Sequence, residues 1–122
     1  MLQGLLFRLA RSWLGGVLVG WVFAHLSGVL PVRRRYETKR IIAFDHPRPS
    51  YPRHILIVPK KAIRGFEDLG QADLPIVIDT VVAAQQLVSE LRLGECGYRL
   101  IVNGGQYQDV KQLHFHLVSE HD

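Results

Sequence analysis

Near the end of the chain, Gln112, His114 and His116 occupy alternate positions in the stretch QLHFHL. Alternation is the period of a β-strand. A strand over 109–119 would turn these three residues to one side together with Val110 and Val118, and would turn Lys111, Leu113, Phe115 and Leu117 to the other. The apolar set is enough for a core face. The opposite set is a polar track, whereas a merely solvated face more usually carries Lys, Glu, Thr or Ser. An imidazole with a pKa near 6.5 offers a nucleophile, an acid–base group or a metal ligand at neutral pH. His46 and His54 stand upstream as possible companions. A water-satisfied strand face stays open beside the functional reading. A metal site would join His114, His116 and His54, but no Cys, Asp or Glu stands at ligand spacing beside the pair, so no metal and no other cofactor is expected. Cys96 is the single cysteine, which excludes an internal disulfide, and no motif marks it as reactive.

The elements that must hold this track can be read from the rest of the chain. RIIAFD (40–45) and HILIV (54–58) are β-branched runs and predict two strands, separated by a loop in which Pro47, Pro49 and Pro52 forbid regular structure. Residues 73–91 predict the one long helix. Asp73 is its expected N-cap, Pro75 is tolerated in its first turn, and Leu74, Val77, Val81, Ala84, Val88 and Leu91 form its expected buried stripe. Gly94 fits just past its end. YRLIVN (98–103) and 109–119 predict two further strands. This order suits an α+β domain, an antiparallel sheet with the helix packed on one face.

The chain carries a net charge of +4, but residues 1–40 hold seven basic side chains against Glu37 alone, while 41–122 hold eight against ten acidic ones. The folded part is therefore slightly acidic, which argues against a nucleic-acid groove. Residues 12–32 contain no charged side chain, and as a helix they would span roughly 31 Å, close to a bilayer's hydrocarbon thickness. The sequence is thus divided into 1–35, a single hydrophobic membrane-anchor helix with basic flanks, and 36–122, the catalytic or binding domain. The basic residues of 33–40 place that domain in the cytoplasm under the positive-inside rule. A cleaved signal peptide, a soluble-protein helix and a start-site error stay as alternatives for the first segment.

Two stretches resemble the histidine triad (HIT) family of nucleotide-binding hydrolases and transferases. YETKRIIAFDHPRPSYPRHILIVPKKAI (36–63) is similar to the family's strand, proline-punctuated loop and P-x-H-x-L-x-x-P-K strand. YRLIVNGGQYQDVKQLHFHL (98–117) is similar to its N-x-G and Q-x-V-x-H-x-H-x-H segments. The resemblance implies a sheet of about five strands and makes His114 the nucleophile toward an α-phosphorus, with His116 and His54 supporting it. Gln112 takes the first triad place, where it could donate a hydrogen bond but not exchange a proton. Asn103 and Gln108 match polar positions of the nucleotide and phosphate cleft. His46 falls where the family places a ribose-binding acid, with Asp45 one residue away and so on the opposite face of a strand unless the loop restores it. The implied function is a hydrolase or nucleotidyl transferase acting on phosphoramidate, phosphoanhydride or dinucleotide bonds. The implied partners are a purine nucleotide or nucleotide conjugate and a second copy of the chain. The competing expectation is a catalytically impaired nucleotide-binding or interaction module, and a gain of hydrolysis on Gln112→His would mark a site damaged only at that place.

Overall fold

The computed structural model describes residues 33–122. The anchor assigned to 12–32 lies outside those residues. Five strands form one antiparallel sheet: β1 (Arg34–Glu37), β2 (Ile41–Asp45), β3 (Arg53–Pro59), β4 (Arg99–Val102) and β5 (Phe115–Ser119), in the spatial order β1-β2-β3-β5-β4. One helix, α1 (Leu74–Glu90), packs on it. The hydrophobic runs of β2 and β3 lie inside the sheet, in register from Ile41 opposite Pro59 to Asp45 opposite Ile55. Ile41, Ala43, Ile55 and Ile57 face the helix with Leu113 and Leu117, and meet Ile76, Ala83, Ala84 and Leu87 in one core. Each large aliphatic side chain fully buried there contributes roughly 1.5–3 kcal/mol.

Several expectations shift. β1, with the sequence RRYE, has no apolar alternation to announce it. It forms because Thr38 closes a tight turn, its Oγ1 accepting from the Arg40 and Ile41 N–H groups and donating to Asp79 on α1. β1 also straddles the boundary drawn between 35 and 36. Of the basic residues counted as a membrane flank, Arg33 and Arg35 lie against Asp45, Arg34 against Glu37 and Arg40 against Asp79. The domain uses these charges for itself.

On α1 the buried positions are Ile76, Thr80, Ala83, Ala84 and Leu87, not the expected stripe. Of the expected stripe, Ala84 is buried and Val88 and Leu91 pack half-buried against the core, whereas Leu74 and Val81 are exposed. A helix apolar on most sides offers several stripes of equal spacing, and the sheet selects one. Asp73 holds the N-cap position of α1, as expected, but its side chain makes no capping bond to that helix. Its carboxylate accepts from Gly70 N–H at 2.9 Å and Lys61 Nζ at 2.6 Å. The left-handed residue that ends the helical path is Arg92, with φ 57°, rather than Gly94. Within the described residues, the only helix long and apolar enough to cross a membrane is Gln71–Glu90, which contains this core helix.

The last strand is also shorter than expected. β5 starts at Phe115, and the chain before it leaves the sheet, with Leu113 N–H donating to Ile63 O at 2.7 Å. The strand expected over 109–119 therefore begins only at Phe115, although Leu113 still faces the core and His114 still sits beside His116.

Candidate active site

Pairing β3 with β5 sets His54 opposite Val118 and Leu56 opposite His116, so His54 and His116 come to the sheet face away from α1. The proline-punctuated loop then folds back over β3. His46 N–H donates to His54 O at 2.9 Å, and Ser50 N–H donates to His54 Nδ1 at 3.0 Å. Four imidazoles end in a row: His46 to His54, His54 to His116 and His116 to His114 have ring centroids 4.4, 5.1 and 5.0 Å apart.

The backbone around the row fixes where its protons sit. A backbone N–H can only donate, so His54 Nδ1 is an acceptor and its proton is on Nε2. That nitrogen lies 2.9 Å from His116 Nδ1 and donates to it, which leaves the His116 proton on Nε2. On His114, Nδ1 is 2.6 Å from the Gln112 carbonyl oxygen, which can only accept. His114 therefore carries its proton on Nδ1 and a lone pair on Nε2. By the same logic, the Arg48 N–H on His46 Nδ1 puts the His46 proton on Nε2.

Burial keeps the row uncharged. His116 is pushed down to about 4 by desolvation and by His114, His54 and His46, and His46 to about 4 by desolvation and by His54 and His114. His54 is lowered by burial and then by His114. His114 is lowered by burial, which outweighs the bond to the Gln112 carbonyl and the nearby Asp109, both of which raise it. A neutral His114 with an available Nε2 is the protonation state of a nucleophile. The described residues hold no group of three or more His, Cys, Asp or Glu arranged to bind a metal.

The remaining expected site residues divide. Gln112 does not belong to the row. It is 1% exposed, and its amide is committed to backbone: Nε2 donates to Pro59 O and Lys61 O, and Oε1 accepts from Ile63 N–H. Gln108 is buried and spans Arg64 O and Val110 O. Asn103 follows directly on β4 and is half-buried. Asp45 ends β2 and is held by Arg35 through two bonds of 2.8 and 3.1 Å. His46 joins the row itself, and Asp45 lines a hollow beside it together with His46 and His54. Ser50, whose backbone sets the tautomers, carries no signal in its side chain. The only sequence hint is the set of prolines that folds the loop back.

An antiparallel five-stranded sheet covered by one helix, with one histidine on its last strand, another just before it and a third on the strand beside it, is the architecture of a histidine triad protein. A model of the HIT domain matches residues 27–122, and the chain belongs to that family. It is 30% identical over 95 residues to an uncharacterised HIT-like protein of Buchnera aphidicola, covering 76% of this chain and 85% of that one. Among solved structures it resembles a HIT family hydrolase from Legionella pneumophila, with a TM-score of 0.75 and 32% identity over 86% of this chain and 93% of the other. It also resembles a histidine triad nucleotide-binding protein from Candida albicans, with a TM-score of 0.70 and 25% identity over 86% and 75% of the two chains. The family match opens at residue 27, inside the uncharged run 12–32.

Proposed function

We propose that this HIT protein binds a purine nucleotide or nucleotide conjugate and breaks a phosphoramidate, phosphoanhydride or dinucleotide bond through a covalent nucleotidyl-His114. The observation that carries the reading is the 2.6 Å contact of His114 Nδ1 with the Gln112 carbonyl, which fixes the proton on Nδ1 and leaves the lone pair on Nε2, while burial keeps the ring uncharged. That lone pair forms the bond to the α-phosphorus as the bond to the leaving nitrogen or oxygen breaks. The carbonyl stabilises the positive charge the ring then acquires. The leaving atom takes a proton from solvent as it departs. Water next cleaves the His114–phosphorus bond, its hydroxyl going to phosphorus and its proton returning to solvent, so no proton is consumed overall. His116 serves as a hydrogen-bond donor to a phosphoryl oxygen, not as an acid, because giving up its only proton would leave an imidazolate. His54 positions His116.

The reading as an impaired binding module drew on Gln112. Its side chain is turned into the protein and occupied there. Its inability to exchange a proton therefore does not count against turnover. The relatives' names support the same direction, one being a hydrolase and another a nucleotide-binding protein.

A two-fold dimer completes the proposal. β4 is an edge strand, and beside it Leu74, Ile78, Val81, Val82, Tyr98 and Leu100 expose apolar surface. A hollow of about 290 Å³ runs between α1 and β4. A second copy meeting this one about a two-fold axis would cover both faces with one contact. A single-pass anchor over 12–32, with the domain on the cytoplasmic side, stays part of the proposal, its basic flank also pairing within the domain.

The experiment is incubation with a nucleoside phosphoramidate labelled in the nucleoside, followed by acid-free peptide mapping. An acid-labile nucleotidyl adduct on His114 is expected, absent in His114→Ala. Turnover that persists in His114→Ala would refute the mechanism.

A further inference from the structure

Where β2 runs into the proline loop and β3 begins, a second hollow of about 330 Å³ opens beside the histidine row, sharing His46 and His54 with it. Its size is at the lower end of small-ligand pockets, which run from roughly 300 to 1,000 Å³. Its walls carry three guanidinium groups, Arg33, Arg35 and Arg53, against two carboxylates, Asp45 and Asp122. Counted over the side chains, one positive charge is left over.

The pairing inside this set is uneven. Arg35 is fully committed to Asp45 through its two bonds. Arg33 reaches Asp45 only at 3.8 Å and its side chain is 74% exposed. Arg53 meets Asp122 at 3.6 Å, and that carboxylate is 82% exposed, so solvent competes for it. Arg53 Nε is buried without a hydrogen-bond partner, the one such side-chain atom among the described residues. An unmet guanidinium donor is costly and marks a place where a bonded partner is missing. The surplus thus resides in Arg33 and Arg53, which flank the two imidazoles from the side away from His114.

We infer that this hollow seats a second anionic group of the substrate, a phosphate monoester, while the histidine row holds the phosphate under attack. The group would displace the exposed Asp122 carboxylate and take charge-assisted bonds from Arg53 and Arg33. Two parts of a nucleotide conjugate have this chemistry: a phosphate on the sugar hydroxyls, or a phosphate on the leaving-group side. The substrate class becomes a nucleotide bearing two separate phosphates. The inference rests on the nucleotidyl reading for the identity of its ligand and on the arginine pocket for its site.

Calorimetry on the full chain compares AMP, adenosine 3′,5′-bisphosphate and ADP. One of the doubly phosphorylated ligands is expected to bind tighter than AMP by about tenfold or more, the return from one or two hydrogen bonds to a charged group. A preference for the bisphosphate assigns the sugar phosphate, and a preference for ADP assigns the leaving side. Arg53→Gln and the well-exposed Arg33→Gln should each reduce the preference several-fold, and leave AMP affinity within about twofold because neither contacts the phosphate under attack. Equal affinity for all three ligands overturns the inference, and so does a preference that survives both substitutions. If none of the three binds, the nucleotide reading fails instead. The pocket is then decided by titrating pyrophosphate against the Arg53 Nε–H resonance: a saturable shift upholds an anion site, and no shift ends it.

Discussion

Replacing Gln112 separates a residue of the chemistry from a residue of the scaffold. Its amide makes three hydrogen bonds to backbone, with Pro59 O at 3.2 Å, Lys61 O at 2.9 Å and Ile63 N–H at 3.2 Å, and the side chain is almost fully buried. Each such bond contributes about 1 kcal/mol net, and each buried group left unmet costs about 1–3 kcal/mol. Gln112→Ala removes all three partners at once. With some of the freed groups reaching water, the loss is about 2–4 kcal/mol, or roughly 10–20 °C in Tm for a domain of this size. Gln112→His is the sharper test. A neutral imidazole has one donor and one acceptor, so it cannot replace two N–H donors and one acceptor oxygen. It should cost about 1 kcal/mol or more and give no increase in hydrolysis, although it restores the family's motif. Thermal melts with hydrolysis of a nucleoside phosphoramidate read both quantities. A rise in turnover of tenfold or more in Gln112→His, or a Gln112→Ala protein that melts with the wild type, would falsify the placement of this side chain in the scaffold.

Stability should fall as the solution is acidified through the imidazole range. His46 and His116 titrate near 4 when folded against 6.5 ordinarily. The unfolded chain therefore takes up protons between 6.5 and 4 that the folded one refuses, and stability is complete above 6.5 and drains away on the way down to 4. Calorimetric Tm values between pH 7.5 and 4.5 should show this slope, and His46→Asn should flatten it; a level wild-type profile over that range contradicts the neutral row. At the exposed face, Val81→Asp or Leu100→Glu should convert a dimer to monomers in sedimentation while leaving the melting of the monomer within about 0.5 kcal/mol, as for other surface substitutions. A wild-type protein that sediments as a monomer at high concentration removes the dimer from the proposal.

The sheet, the helix and the fold class were legible because β-branched runs and prolines act locally. Ile41–Asp45 and Arg53–Pro59 fall close to where RIIAFD and HILIV place them. β1 was not legible, since RRYE has no hydrophobic pattern and is held by a turn and by its neighbour. The helix face is legible only in part: Ala84, Val88 and Leu91 lie against the core, but Leu74 and Val81 keep the same spacing without facing it. The histidines were found because their type and spacing are uncommon. The direction of Gln112 could not be, because alternation applies only inside a strand and β5 starts three residues later. The bonds that decide its role go to the backbone of 59–63, some fifty positions away in the chain.

The Ser50 amide touches only one imidazole, yet it settles which nitrogen of the next imidazole is left to meet a ligand. If that amide withdrew, His54 could exchange its two nitrogens, and His116 would follow by offering a lone pair outward in place of a hydrogen. The cleft would then repel the oxygen it ordinarily greets, with every ring still in place. One backbone amide two rings removed from the ligand can in this way switch the site off by moving hydrogens alone.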